Sequence, residues 1–130
     1  MIIPSEDRNF PTLENLLSWA SKRQQALASN ITNLDTPGYR AKDYSFEAEL
    51  ASQIVSMTKT SPMHISPVQE TPSSRVYEVG TKDKPNGNNV DIERELTEIT
   101  KNGLQYITFI QYLNQKIRTL RSAINDGGKV

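Results

Sequence analysis

The chain has 130 residues and a mass of 14.6 kDa, which allows one domain, or one core with a flexible insert. Basic and acidic residues number 15 each, and this balance argues against a nucleic-acid-binding protein, because phosphate backbones attract proteins with an excess of positive charge. The absence of cysteine excludes disulfides and thiol chemistry, and a single histidine argues against a zinc site.

The N-terminal residues 1–7 lack the basic region, the apolar core and the small-residue cleavage site of a secretory signal peptide. No stretch approaches about 18 consecutive apolar residues, so the sequence predicts no membrane-spanning helix. We therefore expect no direct membrane insertion. If the protein leaves the cytoplasm, we expect a route that does not use a cleaved signal peptide.

Residues 10–35 form the first of two segments rich in helix-forming residues. Apolar side chains recur there at alternating steps of about three and four residues, interrupted only at Gln24: Phe10, Leu13, Leu17, Ala20, Leu27, Ile31 and Leu34. This spacing predicts a helix with a narrow apolar seam that packs against a partner helix. The tetrapeptide TPGY at residues 36–39 fits a type II turn, so we expect the helix to end near Asp35 and the N-terminal unit to span residues 10–39.

The middle segment, residues 40–89, has a different composition. Four apolar residues within 43–57 have helical spacing and predict a short helix: Phe46, Leu50, Ile54 and Met57. Residues 58–89 contain four of the seven prolines, many Ser, Thr and Asn, and few large aliphatic side chains. We expect a loop that tolerates substitution, with at most short extended pieces near 63–66 and 75–79.

The second helix-forming segment, residues 90–126, shows the same alternation, interrupted only at Gly103: Ile92, Leu96, Ile99, Tyr106, Ile110, Leu113, Ile117, Leu120 and Ile124. Asn88 and Asn89 are candidate N-terminal caps. An ordinary 3.6-residue pattern would drift by about 20° per heptad and lose this register. The sequence therefore predicts a mainly α fold: long N- and C-terminal helices pack as a coiled-coil-like pair, joined by a Pro-rich, loop-dominated middle segment.

No residue pattern in the chain indicates catalysis or cofactor binding. His64 lies between two prolines without a ligand or base partner at a recognisable spacing, and no phosphate-binding, dinucleotide-binding or nucleophile motif occurs. We therefore predict no enzyme, no cofactor and no metal site. Gly103 leaves two alternatives open, since it either permits close approach of another backbone or is tolerated at a cost of up to about 1 kcal/mol.

Two stretches of the sequence carry a family resemblance. Residues 28–39 resemble the signature A-x-N-I-A-N-x-x-T-P-G-Y of bacterial flagellar rod and hook proteins, with Thr32 in place of the commoner Ala. The matching signature residues are Asn30, Asn33, Thr36, Pro37, Gly38 and Tyr39. Residues 87–96 are similar to the G-N-N-V-D-x-E-x-E stretch of proximal rod members of that family. The resemblance covers both ends of the chain but little of residues 55–85.

The resemblance implies a structural subunit of the proximal rod of the flagellar basal body, which polymerises through its terminal helices and transmits torque for motility. It implies as partners other copies of the chain, neighbouring rod, export-gate or basal-ring proteins, and the flagellar type III export apparatus. It also implies a place in the periplasmic rod. Assembly would bury a predicted seam, which consists of Leu13, Leu17, Leu27, Ile31 and Leu34 of the first helix and the apolar residues of the second helix named above.

Two rival interpretations come from other classes of protein. One is a soluble coiled-coil adaptor or chaperone of a secretion system, which would form a closed dimer rather than a polymer. The other is a small helical enzyme subunit, against which the missing motifs argue.

Overall fold

The computed structural model describes residues 9–58 and 76–127. Within them the chain forms α1 (Asn9–Thr32), β1 (Lys42–Tyr44), α2 (Phe46–Thr58), β2 (Val76–Glu78) and α3 (Ile92–Gly127). The two long terminal helices pack against each other, which confirms the predicted mainly α fold. His64 and the extended piece expected near 63–66 lie outside the described residues.

The helices α1 and α3 run antiparallel. Asn30, near the end of α1, donates to Glu95 near the start of α3, and Asn102 of α3 donates to the carbonyl of Ala20 in mid-α1. At the far end of the pair, Phe10 and Leu120 line the same groove. The first turn of α1 therefore lies beside the last third of α3.

Helix α1 ends at Thr32 rather than near Asp35. Its last turn tightens, because the amide of Leu34 donates to the carbonyl of Ile31 at 3.1 Å. The side chains of Thr32 and Asn33 donate back to carbonyls of the preceding turn, which satisfies groups that a helix end leaves unpaired. Polar side chains thus end the helix before Pro37 is reached.

The predicted turn at residues 36–39 is confirmed. The amide of Tyr39 donates to the carbonyl of Thr36 at 3.3 Å, and Gly38 has a φ of +68°, as the third position of a type II turn requires. This turn reverses the chain between α1 and β1.

The predicted short helix in 43–57 is also confirmed, as α2. Ser45 caps it by accepting from the amide of Ala48 at 3.2 Å. The ring of Phe46 lies between two aromatic rings, with its centroid 5.1 Å from that of Trp19 on α1 and 6.4 Å from that of Phe109 on α3. One aromatic side chain therefore anchors the start of α2 to both long helices.

Strands β1 and β2 pair antiparallel, with Asp43 opposite Tyr77, so the extended piece expected near 75–79 is present. The described part of 58–89 is mostly loop, as expected, but Val79, Asn88 and Asn89 are buried there, so we expect these three positions to tolerate substitution poorly. Val79 packs with Ala41 and Val90 in a small apolar core beside the end of α1. Polar side chains that fold this region back onto α1 account for the difference.

Candidate functional site

The end of α1 and the start of α3 meet in what we term the junction, formed by residues 30–41 and 86–91. Two turns stack there through their backbones: the amide of Gly38 donates to the carbonyl of Asn86 at 3.0 Å. Gly87 has a φ of +77°, and a Cβ added there would lie 3.6 Å from the Cα of Gly38. The TPGY turn and the turn before α3 therefore form one unit.

Asn30 is fully buried at the centre of the junction. Its Nδ2 donates to the carbonyl of Lys42 at 2.9 Å and to Oε2 of Glu95 at 2.8 Å. Its Oδ1 accepts from the amide of Lys42 at 3.0 Å and from the hydroxyl of Tyr39 at 3.2 Å. One amide side chain thus joins α1, β1 and α3 with its hydrogen-bonding capacity fully used.

Asn88 and Asn89 were expected as caps of α3, and this expectation is wrong. Nδ2 of Asn88 donates to the carbonyls of Asn33 and Thr36, each at 2.8 Å. The cap is Asp91, because it immediately precedes the helix and its Oδ1 accepts from the amides of the second and third helical residues at 3.0 and 3.3 Å.

Asn89 bridges two backbone segments. Its Oδ1 accepts from the amide of Ala41 and its Nδ2 donates to the carbonyl of Val79, each at 2.6 Å. Val79 and Ala41 are also joined directly, through an amide-to-carbonyl bond of 2.8 Å. The Asn89 side chain therefore acts as an extra rung beside the short sheet.

The structure brings the six signature residues together around this junction. Asn33 accepts from the hydroxyl of Thr36 at 3.1 Å, Tyr39 reaches Asn30, and Pro37 and Gly38 form the turn. Asn88 and Asn89 complete the same unit, which the sequence did not predict. Asp91 could have indicated this, because it is a suitable cap for α3 and the two asparagines are then not needed as caps.

A charge network lies beside the junction, and it consists of the buried Arg23, Asp43 and Glu95 and the half-buried Arg94 and Glu98. Arg23 of α1 donates to both carboxylate oxygens of Asp43, at 2.7 and 2.8 Å, and to Glu98 of α3 at 2.6 Å. Arg94 pairs with Glu95 at 2.7 Å and lies 3.6 Å from Asp43. The network joins α1, β1 and α3.

The environment shifts the pKa values of these groups. Burial alone would raise the pKa of Asp43, but hydrogen bonds from Arg23 and from the amide of Tyr44 outweigh it and lower that pKa. A hydrogen bond from Lys101 lowers the pKa of Glu98, burial opposes it, and a hydrogen bond from Arg23 adds to the lowering. The pKa of the Arg23 guanidinium is raised, chiefly by its hydrogen bond to Asp43. Both carboxylates are therefore held in their charged forms.

The face that α1 presents to α3 differs from the predicted seam. Its buried residues recur at steps of three and four: Leu13, Leu16, Ala20, Arg23, Leu27 and Asn30. Leu13 and Leu27 belong to the predicted seam, whereas Leu17, Ile31 and Leu34 are only half-buried and Gln24 is exposed. The apolar pattern predicted the correct spacing but placed Gln24, rather than Arg23, on the face toward α3. The charge of Arg23 is compensated by Asp43 and Glu98, which are distant in sequence.

The inner face of α3 also differs from the seam. It carries Glu95, Glu98, Asn102, Gln105 and Phe109, each one residue before a predicted seam position. One residue corresponds to a rotation of about 100° around the helix. Seam residues of α3 are half-buried at Ile99, Ile110, Leu113 and Leu120 and exposed at Ile92, Leu96, Tyr106, Ile117 and Ile124.

An exposed apolar face results on α3, and it consists of Ile92, Leu96, Leu104, Tyr106, Ile107, Ile117 and Ile124. The side chains of Leu104 and Ile107 are 62% and 53% exposed, and that of Ile124 is 75% exposed. Polar residues thus face inward near the junction while large apolar residues face outward.

Metal-binding clusters and membrane-spanning helices are absent from residues 9–58 and 76–127. No group of three His, Cys, Asp or Glu side chains there is placed to hold a metal ion. No helix in the same residues has a stretch sufficiently long and apolar to cross a bilayer.

The signature region matches a known family. A family model described as "Flagella basal body rod protein" matches residues 12–40, which include α1 from its first turn and the TPGY turn. The paired terminal helices and this signature define a flagellar rod protein.

Curated relatives extend the similarity over most of the chain. The flagellar basal body rod protein FlgB of Escherichia coli (strain K12) is 34% identical over 125 residues, which cover 88% of this chain and 91% of the relative. FlgB of Bacillus subtilis (strain 168) is 36% identical over 119 residues, covering 88% and 92% of the two chains, and FlgB of Aeromonas hydrophila is 34% identical, covering 92% and 95%. The chain belongs to the FlgB family, and it is a structural subunit of the basal body rod.

Proposed function

We propose that the chain polymerises in the proximal part of the rod and transmits torque for motility. In this proposal its partners are other copies of itself, neighbouring rod proteins, and export-gate or basal-ring proteins. The observation that carries the proposal is the exposed apolar face of α3, on which Leu96, Leu104 and Ile107 are each more than half exposed. Large apolar side chains exposed along one side of a helix are typical of an interaction surface.

The energetic argument follows from burial. Burying a large aliphatic side chain stabilises a protein by about 1.5–3 kcal/mol, so several such residues on one face favour association strongly. The predicted seam on α3 includes five residues of the exposed face, Ile92, Leu96, Tyr106, Ile117 and Ile124. The terminal units 10–39 and 90–126 would then form the axial part of each subunit.

We also propose a structural role without catalysis. Asn30 donates to Glu95, Asn89 bonds the backbone of Ala41 and Val79, and Asp43 accepts from Arg23, so these buried groups serve the fold. The curated relatives carry the name of a rod protein, which is consistent with this role.

The proposed location is the periplasmic rod, reached through the flagellar type III export apparatus. The relatives' names place them in the basal body. The balanced charge supports partners that are proteins rather than nucleic acids.

The test is Leu96→Asp, with Thr97→Asp as the matched control. Both positions are exposed on the same turn of α3, so neither change should alter the melting of the purified protein. We expect Leu96→Asp to be absent from purified basal bodies and to leave cells non-motile, whereas Thr97→Asp assembles. Normal incorporation of Leu96→Asp would contradict the proposal, and a closed dimer of the parent protein would favour the adaptor alternative.

A further inference from the structure

Two faces of α3 compete for contact with α1. The face in use carries Glu95, Glu98 and Asn102 near the junction. The neighbouring face, about 100° away, carries the apolar side chains of the predicted seam, such as Leu96 and Ile99. The hydrophobic effect alone would turn the apolar face toward α1, because that rotation removes apolar surface from water. Some other interaction must oppose it.

The opposing interaction is found at Arg23. This side chain occupies an inner position of α1 and is 9% exposed. It is held between Asp43, which has no exposed surface, and Glu98 of α3. A rotation that brought Leu96 to α1 would carry Glu98 away from Arg23. Arg23 would keep Asp43 but lose one of its two carboxylate partners, which is unfavourable for a buried charge.

Two further polar contacts act in the same direction. Glu95 is fully buried and accepts from Nδ2 of Asn30, and the same rotation would break this bond. Asn102 donates to the carbonyl of Ala20 and to Oε1 of Gln24, at 2.9 and 2.8 Å. Polar contacts therefore recur along the inner face of α3 over its first turns.

We infer that the charge network sets the rotation of α3 and keeps its apolar face on the outside of the subunit. Arg23, Asp43 and Glu98 are then positioning residues for assembly, because they keep the apolar face of α3 exposed and available to neighbouring subunits. The assembly role of that surface rests on the proposed function, whereas the rotation is a property of the isolated chain.

The test measures the rotation by cysteine alkylation, because the chain contains no cysteine of its own. A cysteine introduced by Leu96→Cys reports the outer face, and one introduced by Gln105→Cys reports the inner face. In the parent background we expect the cysteine at 96 to react at least tenfold faster than the one at 105.

The decisive variant combines Arg23→Met, Asp43→Asn and Glu98→Leu, which removes three of the five charges of the network and keeps an acceptor for the amide of Tyr44. Replacing a buried ion network with apolar residues is often neutral or stabilising, so we expect equal or higher thermal stability. The reactivity ratio should fall at least tenfold as the apolar face turns inward. The variant should also be absent from basal bodies.

The matched control combines Lys22→Met, Glu93→Leu and Asp35→Asn, which make the same three charge changes at exposed positions. It should keep the parent's ratio of alkylation rates at positions 96 and 105 and the parent's melting temperature. A triple variant with the parent's ratio contradicts the inference. A triple variant that unfolds also contradicts it, because the network would then supply stability rather than orientation. Failure of the proposed function shows separately, as normal motility in a strain that lacks the gene.

Discussion

Single amide side chains hold the junction together at the scale of the residue. The side chain of Asn89 accepts from one backbone segment and donates to another, as a peptide group of an additional strand would. Ala41 and Val79, the residues that it bridges, are buried, so water cannot replace these bonds. The stability of the junction therefore depends on individual atoms rather than on apolar area.

Asn89→Ala should lower the free energy of unfolding by about 2–4 kcal/mol, because two buried backbone groups lose their partner. Urea unfolding followed by circular dichroism measures this change. The control is Asn114→Ala at an exposed position of α3, which should change stability by less than about 0.5 kcal/mol. Equal effects at the two positions would show that the Asn89 bridge is not a stabilising contact.

Two glycines should respond to alanine with opposite signs. Gly87→Ala should destabilise the protein by about 1–2 kcal/mol, since a side chain at positive φ is strained. Gly103→Ala should stabilise it by up to about 1 kcal/mol, because the position is helical and no described atom outside the adjoining helix backbone lies within 4 Å of an added Cβ. Urea unfolding of both variants decides, and shifts of the same sign would contradict this reading of the backbone.

At the scale of the element, the charge network makes the pairing of α1 and α3 dependent on pH. The pKa values of Asp43 and Glu98 are lowered in the folded protein, whereas in the unfolded chain they are about 4. Their contribution to stability is therefore complete above the unfolded values and is lost as the pH falls through the lowered ones.

We expect the free energy of unfolding to decline as the pH falls below about 4, where the lowered carboxylates begin to protonate. Urea unfolding across a pH series measures the decline. The triple variant Arg23→Met, Asp43→Asn and Glu98→Leu should show a shallower one, since the two shifted carboxylates are gone. The same pH profile in both proteins would show that Asp43 and Glu98 are not the groups that cause the decline.

The elements themselves were largely predictable from the sequence. The spacing of apolar residues located α1, α2 and α3, and proline and glycine located the turn at 36–39. The face of each long helix was not predictable in the same way. Two sets of residues recur along α1 at steps of three and four, the predicted seam and the face that is buried. The two sets share Leu13, Ala20 and Leu27.

The choice between these patterns depends on residues that are distant in sequence. Asp43 and Glu98 bond Arg23 and so stabilise the face of α1 on which Arg23 is buried. The periodicity of apolar residues contains no information about these bonds. The bonds from Asn88 to the segment that follows α1, and those of Asn89 with Ala41 and Val79, escaped prediction for the same reason. Long-range polar contacts thus decided what local patterns left open.

At the scale of the whole molecule, polarity is partly inverted. Near the junction the helix pair is polar inside, while α3 presents Leu96, Leu104 and Ile107 to solvent. We would expect a protein that functions as a monomer to bury these residues, because apolar burial is the main favourable term in folding. The arrangement is suited to a subunit whose remaining apolar surface is covered by its neighbours.

The central claim is that the exposed face of α3 becomes buried when subunits assemble. A single cysteine at position 96 (Leu96→Cys) is alkylated in the isolated protein and in basal bodies purified from motile cells that carry the variant, with Gln25→Cys on an exposed position of α1 as a reference. We expect the reaction at position 96 to be at least tenfold slower in basal bodies than in the isolated protein. Equal rates at position 96 in the two states would contradict the claim.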